Sequence, residues 1–455
     1  MPFDHSIDVM SDYALSLSYK DLPESTIRSV KNRLLDTIGC AVGAFHEEPC
    51  KIARRLCYPT GAPLTARVIG TLDRTSVEMA AFTNGVMARY LDFNDTLRVK
   101  DAGHPSDTIP AVLAMAEALH ADGKSIMTAI VLAYEICYRF IAQTPLDKKG
   151  WDQTNYIGVG SALAAGKLLG LNKEQMCNTA ALALTNTVGT YQCRVGELSM
   201  WKACSAAMAC YLGILGAFMA REGMTGPEEA MEGQYGMMNM VTGPISIEPL
   251  GNGKDVPFGI EKFMLKKFPV RDSCQLPIET ALELRQKVSP ADIKSLDVQM
   301  YESSIRTAVA REQLWKPKTR ETADHSIPFS IAVALLDGDV TPETFRRKRF
   351  LDQDVLDLLS RMKIEENPEF TKLTPEIRTI RIEATTYSGE KVVVQKQLTL
   401  EEAGREWSRE EVEAKFLGLT RDFLTEAQIQ NILDIVWHLE DVDDAATKLL
   451  DNLQL

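Results

Sequence analysis

Residues 27–44 read IRSVKNRLLDTIGCAVGA, and this stretch decides the fold class. Ile27, Val30, Leu34, Leu35, Ile38 and Val42 recur at steps of three and four, the spacing of one helix face. Gly39, Ala41, Gly43 and Ala44 share the segment, and their small side chains let a neighbouring helix approach closely. The stretch predicts a core helix in a layer of packed helices.

The same period continues outward. Helices are expected over 76–91, with Ser76 as N-cap, and from about Thr108 to His120, ending near Gly123. Others are expected over 125–140, 157–170, 173–190, 200–222 and 227–232. Asn172 followed by Gln175 has the form of a capping box. Ala203 to Ala220 carries no charge over eighteen residues, near the length of a membrane span. Its alanines, glycines and cysteines dilute the apolarity, so it reads as a buried helix packed on close neighbours.

After about residue 262 the period changes. Leu296, Val298 and Met300 alternate with polar residues, as do Ile380, Ile382 and Ala384. Val392 and Val394 follow beyond a turn at Ser388-Gly389, a strand–turn–strand signal. Helices are expected between these strands, over 327–337 and 353–361. The helical pattern returns from about Glu402, with Val412, Phe416, Leu417, Ile429, Ile432, Leu433 and Val436. The chain has 455 residues, too many for one compact core. The predicted fold is mainly α: a large helical domain built from residues 1–262 and 399–455, with a smaller α+β domain inserted over 263–398.

Composition narrows the function. The net charge is −13, and the basic runs at Arg346–Arg349 and Lys266-Lys267 are short. A nucleic-acid binder shows a basic stripe instead. An anionic ligand would need a local cluster of cations to enter this field. The nine cysteines form no C-x-x-C and are odd in number, which argues against a disulfide scaffold or a metal cluster and suggests a reducing, cytoplasmic setting. Residues 1–19 carry Asp4, Asp8 and Asp12 and lack the basic and apolar regions of a signal peptide. No glycine-rich nucleotide motif is present.

The densest reactive cluster is Leu91-Asp92-Phe93-Asn94-Asp95-Thr96, followed by Gly103-His104-Pro105-Ser106-Asp107. His104 precedes a helix start, where amides and the helix dipole favour a carboxylate, and it can act as a general acid or base. Asp92 could orient it and Thr96 could hold a substrate oxygen. Spacing alone favours the plainer reading, in which Asp92, Asp95 and Asp107 are caps and His104 a loop residue. Lys202, in Ser199-Met200-Trp201-Lys202, opens a long apolar helix and is a candidate carboxylate ligand or an ordinary charged residue. Lys266-Lys267-Phe268-Pro269 lies at the expected domain junction, as a ligand or a solvated pair. His325 reads as a residue of a capping loop.

These residues, with Leu34-Leu35-Asp36-Thr37-Ile38-Gly39-Cys40, Ala165–Leu171, Arg221–Pro227, Thr322–Pro328 and Leu335–Asp339, resemble the MmgE/PrpD family over nearly the whole chain. That family includes 2-methylcitrate dehydratase, cis-aconitate decarboxylase and an iminodisuccinate epimerase. The resemblance implies a homodimer, an α+β lid, and an active site between helical domain and lid that uses no metal or organic cofactor. It assigns Asp92, His104, Lys202 and Lys266 to catalysis and Thr96 to the same site. Asp95, Gln153, Arg271, Ser273 and Gln275 are expected to meet the substrate. Two positions depart from the dehydratase-like branch. Trp151-Asp152-Gln153 stands where Trp-Asp-His is usual, and Asp272-Ser273-Cys274-Gln275 where Tyr-His-Ser-Gln is usual. Arg271 is then a replacement cation. The expected function is a lyase that dehydrates a small hydroxy-di- or tricarboxylate. Decarboxylation, epimerisation beside a carboxylate, and a catalytically silent binding protein are the alternatives.

Overall fold

The structure is a computed structural model that describes residues 2–455. It is mostly helical, with a small mixed sheet. Two compact units emerge: Met1–Cys193, Ala203–Leu265 and Glu406–Leu455 form the first, Arg194–Lys202 and Lys266–Arg405 the second.

The first unit opens with α1 (His5–Ser16), α2 (Glu24–Gly43) and α3 (Glu48–Arg55). A short hairpin follows, β1 (Thr65–Arg67) with β2 (Arg74–Ser76), and then α4 (Val77–Tyr90). A second hairpin, β3 (Leu97–Arg98) with β4 (Ala102–Gly103), leads to α5 (Ile109–Ala118). Next come α6 (Gly123–Gln143), α7 (Thr154–Leu168), α8 (Lys173–Asn186) and α9 (Trp201–Arg221). After the second unit the chain adds the helices Arg409–Thr420, Glu426–Trp437 and Ala445–Asp451.

Helix α2, whose sequence opened the reading, is buried on every side from Ser29 to Gly43. Cβ atoms added at Gly39 and Gly43 would lie 3.2 Å from Phe416 and 3.0 Å from Leu419, so these glycines let the helix Arg409–Thr420 lie close. The polar residues of α2 are buried too, and buried charges must be paired. Arg33 Nη1 donates to both Glu406 oxygens at 2.9 and 3.0 Å, and Lys415 pairs with Asp36 at 2.5 Å.

Helices α6 and α9 are each 21 residues long and apolar enough, by length and composition, to cross a membrane; most of each is buried in protein. The glycines of α9 show why. A Cβ at Gly213 would lie 2.6 Å from the Gly158 carbonyl and from Ser161 Oγ on α7. Gly213→Ala should therefore overpack this contact and cost about 1–3 kcal/mol. A lowered thermal midpoint checks this; an unchanged midpoint would mean that the helices separate without penalty.

The capping box at Asn172 forms as expected: Asn172 Oδ1 accepts the Gln175 N–H at 3.0 Å and Gln175 Oε1 accepts the Asn172 N–H at 3.1 Å. Three details differ from the expectation. Residues 227–232 form no helix and 228–232 are turns, because Gly226-Pro227 and Gly233 leave too short a run, and the Asp4 carboxylate takes the Met231 and Glu232 amides at 2.8 and 2.9 Å. Helix α8 stops at Asn186 rather than 190. The helix expected from Thr108 begins as a 3-10 turn, Pro105–Thr108.

The second unit holds a four-stranded sheet. Its strands are β5 (Ile293–Met300), β6 (Met362–Glu366), β7 (Ile377–Thr386) and β8 (Lys391–Thr399), in the order β6-β5-β7-β8. β5 and β6 are parallel; the other pairs are antiparallel. A register shift between Ile293 and Ser295 lets Ile293 and Leu296, three apart, both be buried. β6 is absent from the sequence reading, since most of its residues are exposed and show no alternation. Helices α10 (Asp272–Arg285) and α11 (Ile327–Asp337) pack on each other, and α10 covers β7 and β8. The short segment Arg194–Lys202 belongs with this unit, which no periodicity indicated.

Candidate active site

In the first unit the reactive cluster is built around the β3–β4 hairpin. Leu97 pairs with Gly103, so Thr96 and His104 are the residues just beyond the paired ends of the two strands. Gly103 is required here: a Cβ would meet the Tyr156 hydroxyl and lie 2.5 Å from Ile141 Cδ1. Thr96 is tied by its backbone to Met264, with both bonds at 2.9 Å. Its hydroxyl is buried and has no hydrogen-bond partner among the described residues.

His104 is half-buried, and its Nδ1 lies 2.6 Å from the Asp95 carbonyl oxygen. A carbonyl only accepts, so Nδ1 is the donor, and in the neutral ring the lone pair sits on Nε2. The His104 N–H donates to Gln153 Oε1 at 2.9 Å, and Gln153 Nε2 donates to Asp107 Oδ2 at 3.1 Å.

Asp95 is fully buried. One oxygen accepts from Ser106 Oγ at 2.6 Å and the other from the Tyr134 hydroxyl at 2.7 Å. Burial pushes its carboxyl up, opposed by the Ser106 hydroxyl, the Arg33 charge and the Tyr134 hydroxyl. Burial, then the Asp95 charge, pushes the Tyr134 phenol up, which keeps it a donor. The side chain of Asp95 is thus engaged by internal donors, while its carbonyl orients His104.

Asp92 follows α4 with φ of 50°, a left-handed conformation that Asp tolerates better than most residues. Arg89 Nη1 donates to its Oδ1 at 2.5 Å, and Arg89 Nε lies 3.8 Å from Asp107 Oδ2. Asn94 Nδ2 donates to Ser106 Oγ at 2.9 Å and to Asp107 Oδ1 at 3.0 Å. Asp92, Asp95, His104 and Gln153 are therefore joined in one polar network through Arg89, Asn94, Ser106 and Asp107, and the Thr96 hydroxyl stands outside it.

The second unit holds the remaining candidates. Lys202 Nζ donates to both Asp324 oxygens at 2.9 Å, and both residues are essentially inaccessible. His325 Nδ1 lies 2.5 Å from Asp324 Oδ1, and the Arg271 N–H donates to the Asp324 carbonyl at 2.9 Å. Arg271 Nη1 donates to the Thr307 carbonyl at 3.3 Å. Lys266 is fully buried and starts the loop that Gln275 clamps. Gln275 Oε1 accepts the Lys267 and Phe268 N–H groups at 3.0 and 3.2 Å, and its Nε2 donates to the Phe268 and Val270 carbonyls at 2.9 and 3.2 Å. The buried Ser273 hydroxyl has no hydrogen-bond partner among the described residues.

Sequence reasoning missed Arg89, Tyr134 and Asp324. Asp324 and His325 stood in the Thr322–Pro328 motif, but His325 reads there as a residue of a capping loop. Nothing local marks Tyr134, which meets Asp95 only in the fold.

The chain as a whole is similar to known proteins. A family model described as the MmgE/PrpD N-terminal domain matches residues 8–249, and one described as the MmgE/PrpD C-terminal domain matches residues 268–441. The chain is 28% identical to 2-methylcitrate dehydratase of Escherichia coli K12 over 392 residues, 81% of this chain and 79% of that protein. It is 27% identical to 2-methylcitrate dehydratase of Salmonella typhimurium LT2 over 464 residues, 95% and 93% of the two. A mitochondrial 2-methylcitrate dehydratase of Yarrowia lipolytica is 23% identical over 393 residues, 80% and 72%. With both domain models matched in order along it, this chain belongs to the MmgE/PrpD family.

Proposed function

We propose that the protein is a hydro-lyase that removes water from a small hydroxy-di- or tricarboxylate, as its 2-methylcitrate dehydratase relatives do. The observation that carries the reading is the bond from His104 Nδ1 to the Asp95 carbonyl. It leaves Nε2 as the proton-accepting atom of an imidazole held from behind by the main chain.

In this reading His104 Nε2 takes a proton from the carbon beside a substrate carboxylate. The electron pair left behind forms the carbon–carbon double bond, and the hydroxyl departs as water on receiving that proton back from the His104 imidazolium. Lys202 and Lys266 serve as carboxylate-binding cations that stabilise the developing enolate-like charge. Asp324 fixes the ammonium of Lys202 for that task. The Thr96 hydroxyl binds a substrate oxygen. Arg271 and Ser273 contribute further substrate contacts, and Asp92 acts through Arg89 and the Asp107 network. Gln275 holds the loop that begins at Lys266. The working assembly is a homodimer in the cytoplasm, which light scattering and fractionation check.

The test incubates purified protein with a panel of acids that includes 2-methylcitrate and citrate, in ordinary and deuterated water. A dehydratase produces ultraviolet absorbance from a new conjugated double bond and an acid lighter by one water. Deuterium uptake with the carbon skeleton and hydroxyl intact would instead mean an epimerase, and carbon dioxide release a decarboxylase.

A further inference from the structure

Gln153 occupies a position from which one side chain reaches both ends of the His104 segment. Its own backbone is fixed. It is the N-cap of α7, Trp151 bridges to Thr190, and the Asp152 N–H donates to the Gly189 carbonyl at 3.0 Å. Asn155 Nδ2 ties the Asp152 and Gly189 carbonyls together at 2.7 and 2.9 Å.

From this frame the amide oxygen accepts the His104 N–H and the amide nitrogen donates to Asp107. The orientation of the amide follows from its partners, because an N–H only donates and a carboxylate only accepts. The residue is 5% exposed, so water competes poorly for these bonds. Asp107 is held from the other side by Asn94. The clamp therefore links three elements: the end of the hairpin, the first turn beyond it, and the start of α7.

We propose that Gln153 is a positioning residue for His104 rather than a substrate ligand. The amide pins the main chain of His104 to α7, and the Asp95 carbonyl then orients the ring. The residue is thus fixed at two points, its main-chain N–H and its ring Nδ1, and Nε2 keeps one direction. A neutral amide does this without adding a charge beside Asp107. The role in turnover rests on the reading of His104 as the proton carrier; the clamp itself does not.

The test uses the full chain labelled with 15N-histidine. Six histidines give six backbone amides at most, and His104 is identified by the signal lost in His104→Asn. Gln153→Met keeps length and volume but has no N–H and only a weakly accepting sulfur. Losing the bond should speed hydrogen exchange of the His104 amide at least about fivefold, with the other histidines unchanged. Unchanged exchange at His104 would overturn the clamp. Turnover should fall about ten- to a hundredfold, with KM within about threefold of the wild type. A raised KM with unchanged kcat would make Gln153 a substrate ligand and overturn the positioning role. Should Gln153→Met fail to fold, the smaller Gln153→Ala gives the same comparison. If the wild type converts no acid, the proposed reaction falls, and the amide exchange still decides the clamp.

Discussion

His104→Asn should lower turnover by at least about a hundredfold while leaving the fold unchanged. Asparagine is chosen because its side-chain nitrogen sits near the place of Nδ1 and can still donate to the Asp95 carbonyl. What it lacks is any lone pair where Nε2 stands. The backbone N–H bond to Gln153 is untouched, so the local conformation persists. The variant thus isolates proton transfer from positioning. The measurement is kcat on the best acid of the panel, beside a thermal melt that matches the wild type. Wild-type turnover in this variant would remove His104 from the mechanism. A collapsed melting temperature would mean that the ring supports the fold, and the kinetic loss would then say nothing about chemistry.

Asp324→Ala should cost about 3–5 kcal/mol of stability, since it strips a buried ammonium of its carboxylate. Lys202 and Asp324 are 1% and 0% exposed, and both bonds between them measure 2.9 Å. His325 loses its carboxylate partner in the same step. Pairing Lys202→Met with Asp324→Leu should be milder than Asp324→Ala, because no charge is then left buried alone. Urea unfolding of the single and double variants tests this. A single variant within about 1 kcal/mol of the wild type would mean that Lys202 finds other compensation and that its partnership with Asp324 is incidental. The double variant should fold yet lose turnover, which separates the structural contribution of the pair from its proposed one in binding.

The two substitutions probe parts of the protein that differ in how readable they were. Helix α2 announced itself by period, and Gly39 and Gly43 marked the face on which another helix lies. Strands β5, β7 and β8 showed through alternation, because one face of each is more deeply buried than the other. β6 carries no such contrast and passed unread. Residues 227–232 had a helical composition, yet the Asp4 carboxylate, more than two hundred residues away in sequence, takes their amides.

The site divides in the same way. Asp92, Asp95, Thr96 and His104 lie within thirteen residues of one another, and a motif can hold them. The roles of Asp95, His104 and Lys202 depended on partners far along the chain: Tyr134 on Asp95, Gln153 on His104, Asp324 on Lys202. Asp95 looked like a substrate ligand and proves to be buried under internal donors, with only its carbonyl turned to the histidine.

By itself the sequence determined the helical class, the late change to strands and the family, because these depend on periodicity and on local runs of residues. The tertiary structure alone decided which buried polar atoms meet. Hydrogen bonds act over about 3 Å and ignore separation along the chain, so the tautomer of His104 and the partner of Lys202 are properties of the packed molecule.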